Sequence, residues 1–156
     1  MSHSVVRALL VSCLLLPMTA PMRKVLAASP ALAVVDLGEA SFASTKTNET
    51  WATIHLDGRM EMDGQWVLTI HSDGRLVDAG GKLISSMAAN GRIDSGLIID
   101  PDGMVHTAEG TVIMQIAPDG VLLVRGKPTF VRINVSNPRV RRGAMFAFLL
   151  HRNWRG

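Results

Sequence analysis

Between residues 49 and 126, short apolar or alternating runs are interrupted at nearly constant spacing by pairs of turn-forming residues. Five consecutive units share one form: a run leads into Asp-Gly or Asn-Gly, a second short run follows, and a glycine closes the unit. Such repetition predicts one supersecondary unit used five times. The central pairs are Asp57-Gly58, Asp73-Gly74, Asn90-Gly91, Asp102-Gly103 and Asp119-Gly120, and the closing glycines are Gly64, Gly80 with Gly81, Gly96, Gly110 and Gly126.

The central pairs are typical of β-hairpin turns. A two-residue hairpin turn needs positive φ at both central positions, which Asp or Asn tolerates and Gly adopts freely. Five such pairs alternating with five glycine turns predict about ten to eleven short strands, the last over residues 129–135. We therefore predict an all-β fold, an antiparallel meander of five hairpin repeats. A β-solenoid is the alternative, but Asp-Gly turns favour hairpins over the wider corners of a solenoid.

The alternation of side chains along each strand predicts which face is buried. In the second unit, Trp66, Leu68, Ile70 and Val77 share a face if the turn has two residues. The later runs are apolar on both faces, so both sides of the C-terminal half need a cover. We expect the sheet to curl into a barrel or a sandwich, with the apolar octet 143–150 as a short C-terminal cover.

The first 33 residues are predicted to be a signal peptide, because Arg7 precedes an uncharged, apolar stretch over 8–22. That stretch contains two prolines and is shorter than the roughly 20 residues that span a bilayer. Cleavage is expected near Ala20 or after Ala33, with the later site favoured. The tetrapeptide 10–13 resembles the lipobox at which bacterial lipoproteins are cleaved and acylated. Because three leucines follow Cys13, we interpret that cysteine as part of the signal peptide, and we expect a periplasmic or extracellular protein.

Charge is divided unevenly along the rest of the chain. Residues 34–127 hold all 13 acidic residues against seven basic ones, which gives a body near −6. Residues 128–156 hold six arginines and no acidic residue, which gives a tail near +6. This asymmetry favours a tail folded against its own body over a basic face for an anionic partner. The predicted divisions are a linker over 34–48, the hairpin-repeat domain over 49–137 and a basic, apolar C-terminal segment over 138–156.

The spacing of the candidate metal ligands does not allow them to share one metal ion. His55 and His71 each lie three residues before a turn glycine, but a meander separates them by about 9.5 Å at roughly 4.8 Å per strand. One zinc ion needs both imidazoles at about 2.1 Å. The aspartates around 57–63 and 100–102 resemble fragments of calcium loops without EF-hand spacing, and they already serve as turn formers.

Known catalytic patterns were also sought along the chain. It contains no nucleophile elbow, phosphate loop or metalloprotease motif. We therefore predict no catalytic, cofactor-binding or metal-ligating residue, and no enzymatic activity.

The expected function is that of an exported β-repeat protein, a structural or interaction module of the cell envelope or exterior whose partner is an unknown protein or envelope component. One alternative is a small β-barrel that binds an apolar ligand. Another is a peripheral membrane protein held by its tail. Nucleic acid is not expected as a partner, because export removes most targets and no stacking aromatic residues accompany the arginines. The residues of the possible membrane contact are Arg139, Arg141, Arg142, Arg152, Arg155 and Trp154.

Overall fold

The computed structural model of the protein describes residues 31–154, with side chains through residue 151. Most of the predicted signal peptide, including Cys13, lies outside the described residues. The same holds for Arg155 and for the side chains of Arg152 and Trp154.

Eleven antiparallel strands form one sheet, which is followed by a 3₁₀ turn and a helix. The order across the sheet is β6-β5-β4-β3-β2-β1-β11-β10-β9-β8-β7. The predicted all-β meander with a short C-terminal cover is thereby confirmed. The elements are β1 (Ala40–Ser44), β2 (Thr50–Ile54), β3 (Arg59–Met62), β4 (Gln65–Ile70), β5 (Arg75–Asp78), β6 (Leu83–Ser86), β7 (Ile98–Ile99), β8 (Val105–His106), β9 (Val112–Ile116), β10 (Val121–Val124), β11 (Lys127–Val135), the 3₁₀ turn (Pro138–Val140) and α1 (Arg141–Trp154).

The strand at the centre of the sheet is β1, which pairs with β2 on one side and with β11 on the other. It lies within residues 34–48, so the linker predicted there is instead part of the repeat sheet. Phe42 is fully buried and pairs with Ala52 and Ile133. The strand escaped prediction because it is built mostly of Ala and Ser, and because its partner β11 is distant in sequence and joined to it by no turn.

The sheet curls into a half-barrel, which brings its two edge strands, β6 and β7, towards each other. The residues between them bridge the seam, with Met87 pairing with Ile93 and Arg92 with Ile98. Ser85, the buried polar residue of β6, donates a 2.7 Å hydrogen bond to Asp94 Oδ2 on the other side of the seam.

The Asp-Gly and Asn-Gly pairs form the hairpin turns, but in loops of three residues rather than the predicted two. At the first turn, Gly58 N donates to His55 O at 2.9 Å and His55 N to Arg59 O at 2.8 Å. Only the glycine takes positive φ, as in a type I turn followed by a bulge. Asp57 Oδ1 accepts a 3.1 Å hydrogen bond from Arg59 N. Positive φ at both positions occurs instead at Asp63-Gly64 and at Arg125-Gly126.

The longer loop changes which side chains face inward. Ile70 pairs with Leu76, so Leu76 is buried and Val77 only half-buried. The prediction for Val77 is wrong because one additional loop residue reverses the alternation in β5. The prediction for Trp66 is also wrong: an irregularity in the β3–β4 pairing aligns it with Glu61, and it is 46% exposed. The buried positions of Leu68 and Ile70 are confirmed.

Helix α1 packs inside the curl of the sheet. It contacts β4, β7 and β11, which are widely separated in the sheet, and its residues 143–149 are all buried. A helix that is apolar all round needs protein on every side. The Phe148 ring stacks on Phe42 with centroids 5.9 Å apart. The octet 143–150 is thus the predicted cover of the inner face.

An extended segment over residues 31–38 closes the end of the half-barrel where the central turns lie. Ala33 N donates to Met87 O and Val35 N to Ser72 O, both at 2.8 Å. Ala33 and Val35 are buried, and a Cβ added at Gly143 would lie 3.0 Å from Val35 Cγ1. The segment is therefore packed between the sheet and the start of α1.

Candidate interaction surface

The interior of the half-barrel is filled by side chains. Where the start of α1 meets β2 and β4, a recess of about 10 Å³ is lined by Ile54, Ile70 and Ala144. That is about the space of one water molecule. A broader hollow of about 440 Å³ lies over β1, β2 and β11, among Ser41, Thr53 and Asn134. Its lining mixes polar and apolar groups, and it is open to solvent.

The outer face of the N-terminal hairpins carries paired charges. Arg59 Nε lies 2.7 Å from Asp57 Oδ2, and Arg75 Nε lies 2.7 Å from Asp73 Oδ2. The hydrogen bond from Arg59 N is the main cause that lowers the pKa of Asp57, and the Arg59 side chain adds to it. Exposed pairs of this kind contribute little to stability. Arg59 and Arg75 are nevertheless each ion-paired with a carboxylate of the same turn.

The two histidines with metal-like spacing do not share a site. His55 Nε2 lies 3.3 Å from Glu61 Oε2 on the neighbouring strand, a partner that sequence reasoning missed. The two residues flank the same hairpin turn six positions apart, which is the signal that could have found the pair. Within residues 31–154, no three His, Cys, Asp or Glu side chains are grouped so that they could hold a metal ion.

A second pair of a histidine and a carboxylate lies across the fourth turn. His106 Nε2 is 3.1 Å from Asp100 Oδ1, and His106 Nδ1 is 2.9 Å from Thr107 O. The Thr107 carbonyl, followed by the Asp100 carboxylate, raises the pKa of His106. This pair was also missed, and it has the same spacing of six residues around an Asp-Gly turn. No nucleophile or second acid is placed beside it by any described contact.

The chain matches no protein-family model, no curated protein and no solved structure.

The arginines at the start of the tail face the turn end of the body. Arg142 Nε donates a 2.9 Å hydrogen bond to Ile99 O. Arg141 lines a recess of about 220 Å³ together with Asp119 and Asn134, while Arg139 is exposed. No helix within residues 31–154 combines the length and apolar character needed to cross a membrane.

The outer side of the last three strands combines apolar residues with cations that form no ion pair among residues 31–154. Leu123 pairs with Gln115 and Pro128, and Val121 pairs with Arg132, which places these side chains on one face. None of the apolar residues of this face belongs to the core cluster. We call this surface the β9–β11 outer face; it consists of Ile113, Val121, Leu123 and Phe130 with the cations Lys46, Arg125 and Arg132.

Phe130 is the most exposed apolar residue of this face, at 64%. Lys46 Nζ lies 3.7 Å from the centroid of its ring, a cation–π contact that holds a positive charge beside the aromatic side chain. Arg132 Nε is buried and has no hydrogen-bond partner among residues 31–154. The three cations of the face form no ion pair with the carboxylates of that same part of the chain.

Proposed function

We propose that the protein is an exported, non-enzymatic interaction module of the cell envelope or exterior, and that it binds its partner through the outer face of its curled sheet. The observation that carries this proposal is the helix inside the curl. Because residues 143–149 occupy the concave side, the convex side is the extended surface left for a partner. Export is supported by the signal-peptide pattern in the first 33 residues.

The alternative of a barrel that encloses an apolar ligand receives less support. Such a ligand would need the space that Phe146 and its neighbours in α1 occupy, and Phe146 is fully buried. Removing the helix would expose the inner side chains of most strands. The recess of about 10 Å³ between the start of α1 and the sheet is too small for an apolar ligand.

The proposal is tested by fractionating a bacterial host that produces the full chain. We expect the protein outside the cytoplasm without Met1, and we expect the purified protein to co-sediment saturably with isolated cell envelopes. Protein that keeps Met1 and stays in the cytoplasm would contradict export. Protein that stays in the supernatant over isolated envelopes would contradict the interaction role.

The ligand-barrel alternative has a separate test. The purified protein is titrated with a fluorescent fatty acid, and we expect no saturable binding. Stoichiometric binding that protects the fluorophore from an aqueous quencher would favour the barrel, because only an interior site shields the probe.

A further inference from the structure

We propose that the β9–β11 outer face docks on the surface of an anionic lipid bilayer. This inference rests on the proposed function, since it names the envelope component that the module binds. The partner is lipid rather than a protein or a nucleic acid, because the face combines exposed apolar side chains with positive charges.

The apolar part of the face supplies contacts for the interfacial region of a bilayer. Phe130 projects from β11, and Val121 and Leu123 on β10 lie with Ile113 on β9 outside the core cluster. Interfacial binding grows with the apolar area that is buried between headgroups and acyl chains, together with attraction to anionic lipids. A nucleic acid would gain less from these aliphatic side chains, because recognition of bases relies on stacking aromatic residues.

The charges of the face have one sign. From residue 110 to the C-terminus the chain contains eight basic residues and a single acidic one, Asp119, at the turn between β9 and β10. Arg125 lies in the exposed turn between β10 and β11, Arg132 pairs with Val121, and Lys46 lies beside Phe130. Each Lys or Arg near an anionic leaflet contributes about 1 kcal/mol to binding.

Two arginines in the N-terminal half of the same sheet are ion-paired. There Arg59 and Arg75 are held by Asp57 and Asp73 at 2.7 Å. An ion-paired arginine would have to lose its carboxylate before it could gain a lipid phosphate. The two halves therefore provide a comparison within one fold.

This mode of membrane contact differs from the one expected from the tail alone. A tail lying in the interface would need to bury the octet 143–150 in lipid, yet that octet is buried against the sheet. The apolar contacts must then come from another surface. The β9–β11 outer face provides them while α1 keeps its place in the core.

The experiment measures sedimentation of the purified full chain with vesicles of phosphatidylglycerol and phosphatidylcholine, and with vesicles of phosphatidylcholine alone. We expect binding to the anionic vesicles, weakened by added salt because exposed charges are screened. Arg125→Asn combined with Arg132→Gln should lower the affinity by about tenfold or more. Asn suits the positive φ of residue 125, so the turn should be kept.

The matched control is Arg59→Gln combined with Arg75→Gln, which removes the same number of positive charges from the other half of the sheet. It should change vesicle affinity by less than about twofold, because those cations are already neutralised locally. A further variant, Phe130→Ser, should weaken binding while leaving its salt dependence unchanged. Melting temperatures of all variants must match that of the parent, so that loss of fold is not counted as loss of binding.

Several outcomes would overturn the proposal. Equal losses in the two double variants would show that only net charge matters, and tighter binding to a DNA duplex than to the vesicles would favour a nucleic acid. Binding to isolated envelopes without binding to vesicles would reject the lipid surface and leave the proposed function standing. Absence of both would reject the two together.

Discussion

Arg142 Nε donates a 2.9 Å hydrogen bond to the backbone carbonyl of Ile99. This bond connects the first turn of α1 to β7, the strand at the seam of the half-barrel. Burial lowers the pKa of the Arg142 guanidinium, and the nearby Asp100 carboxylate opposes that shift. The contact is thus one point at which the basic tail meets the acidic body. A positive charge at a helix N-terminus interacts unfavourably with the helix dipole. Any stabilisation by Arg142 must therefore come from its contact with the body.

Arg142→Met tests the contribution of that contact. Met keeps much of the aliphatic side chain but leaves Ile99 O without its charged donor, so we expect a loss of about 1.5–3 kcal/mol in unfolding free energy, the range for hydrogen bonds to charged groups. The measurement is urea denaturation. Arg139→Met is the control, because Arg139 is exposed and should cost less than about 0.5 kcal/mol. Equal losses of unfolding free energy in the two variants would show that the hydrogen bond from Arg142 to Ile99 O contributes nothing to stability.

Gly91→Ala and Gly110→Ala form a matched pair. Both glycines have φ near +87° in the same kind of turn, but a Cβ at Gly91 would lie 2.3 Å from Ile99 O, whereas one at Gly110 meets nothing within 4 Å. Gly110→Ala should cost about 1–2 kcal/mol for its left-handed conformation, and Gly91→Ala a further 1–3 kcal/mol or so for the clash. Unfolding by urea measures both. Similar losses would show that the turns do not pack closely at Gly91.

The repeats could be predicted because Asp-Gly turns are local signals, whereas the loop length could not be fixed from the pairs alone. Asp at the position before Gly suits a two-residue turn and also a type I turn with a bulge. The choice between them decides whether Leu76 or Val77 is buried. The structure resolves it through the hydrogen bond from Gly74 N to His71 O and the return bond from His71 N to Arg75 O.

Contacts between distant parts of the chain were less predictable. The pairing of Phe42 with Ile133 joins β1 to β11 across 90 residues, and no turn-forming residues in the sequence indicate it. The cover by residues 143–150 could be predicted because an apolar octet must be buried somewhere. Its position inside the curl depends on the closure of the sheet, which no local pattern specifies. The β9–β11 outer face was likewise visible only as an excess of apolar residues without a side assigned to them.

His106 predicts a pH dependence of stability. Its pKa is raised in the folded protein from an ordinary value of 6.5, by the Thr107 carbonyl and then by Asp100. Such a group stabilises the fold at pH values below 6.5, and that contribution is lost as the pH rises through the raised pKa. His106→Gln, which cannot gain a proton, should therefore lower the melting temperature at acidic pH and lose this effect in alkaline buffer. A difference that grows with rising pH would contradict the assignment.

Deletion of residues 139–156 tests whether the tail is a structural cover. We expect low solubility and loss of the cooperative thermal transition without lipid present, because the deletion exposes the inner face of the sheet. Phe146→Ala is the gentler variant and should cost about 3–5 kcal/mol. The control, Leu56→Ala, changes a side chain that is 70% exposed and should be nearly neutral. A truncated protein that melts within about one degree of the full chain would reject the structural role.

The segment that closes the turn end constrains where the proposed signal peptide could be cleaved. Ala33 N donates to Met87 O and Ala89 N donates to Ala31 O, both at 2.8 Å, and Ala33 is 1% exposed. Cleavage after Ala33 would remove both hydrogen bonds and the buried methyl group. We therefore expect the exported chain to begin at or before Ala31, which disfavours the Ala33 site.

Intact-mass measurement of exported protein, with sequencing of its first residues, decides the position of cleavage. A recombinant chain beginning at Val34 should melt below one beginning at Ser29, because each lost hydrogen bond contributes about 1 kcal/mol and Gly74 would lose the backbone that packs on it. The backbone amide of Ala89 should also exchange its hydrogen faster in the chain that begins at Val34, because that amide loses its acceptor, Ala31 O. Exported protein that begins at Val34, with a melting temperature equal to that of the longer chain, would show that the closing segment starts at Val35 and that the pairing with Met87 contributes nothing.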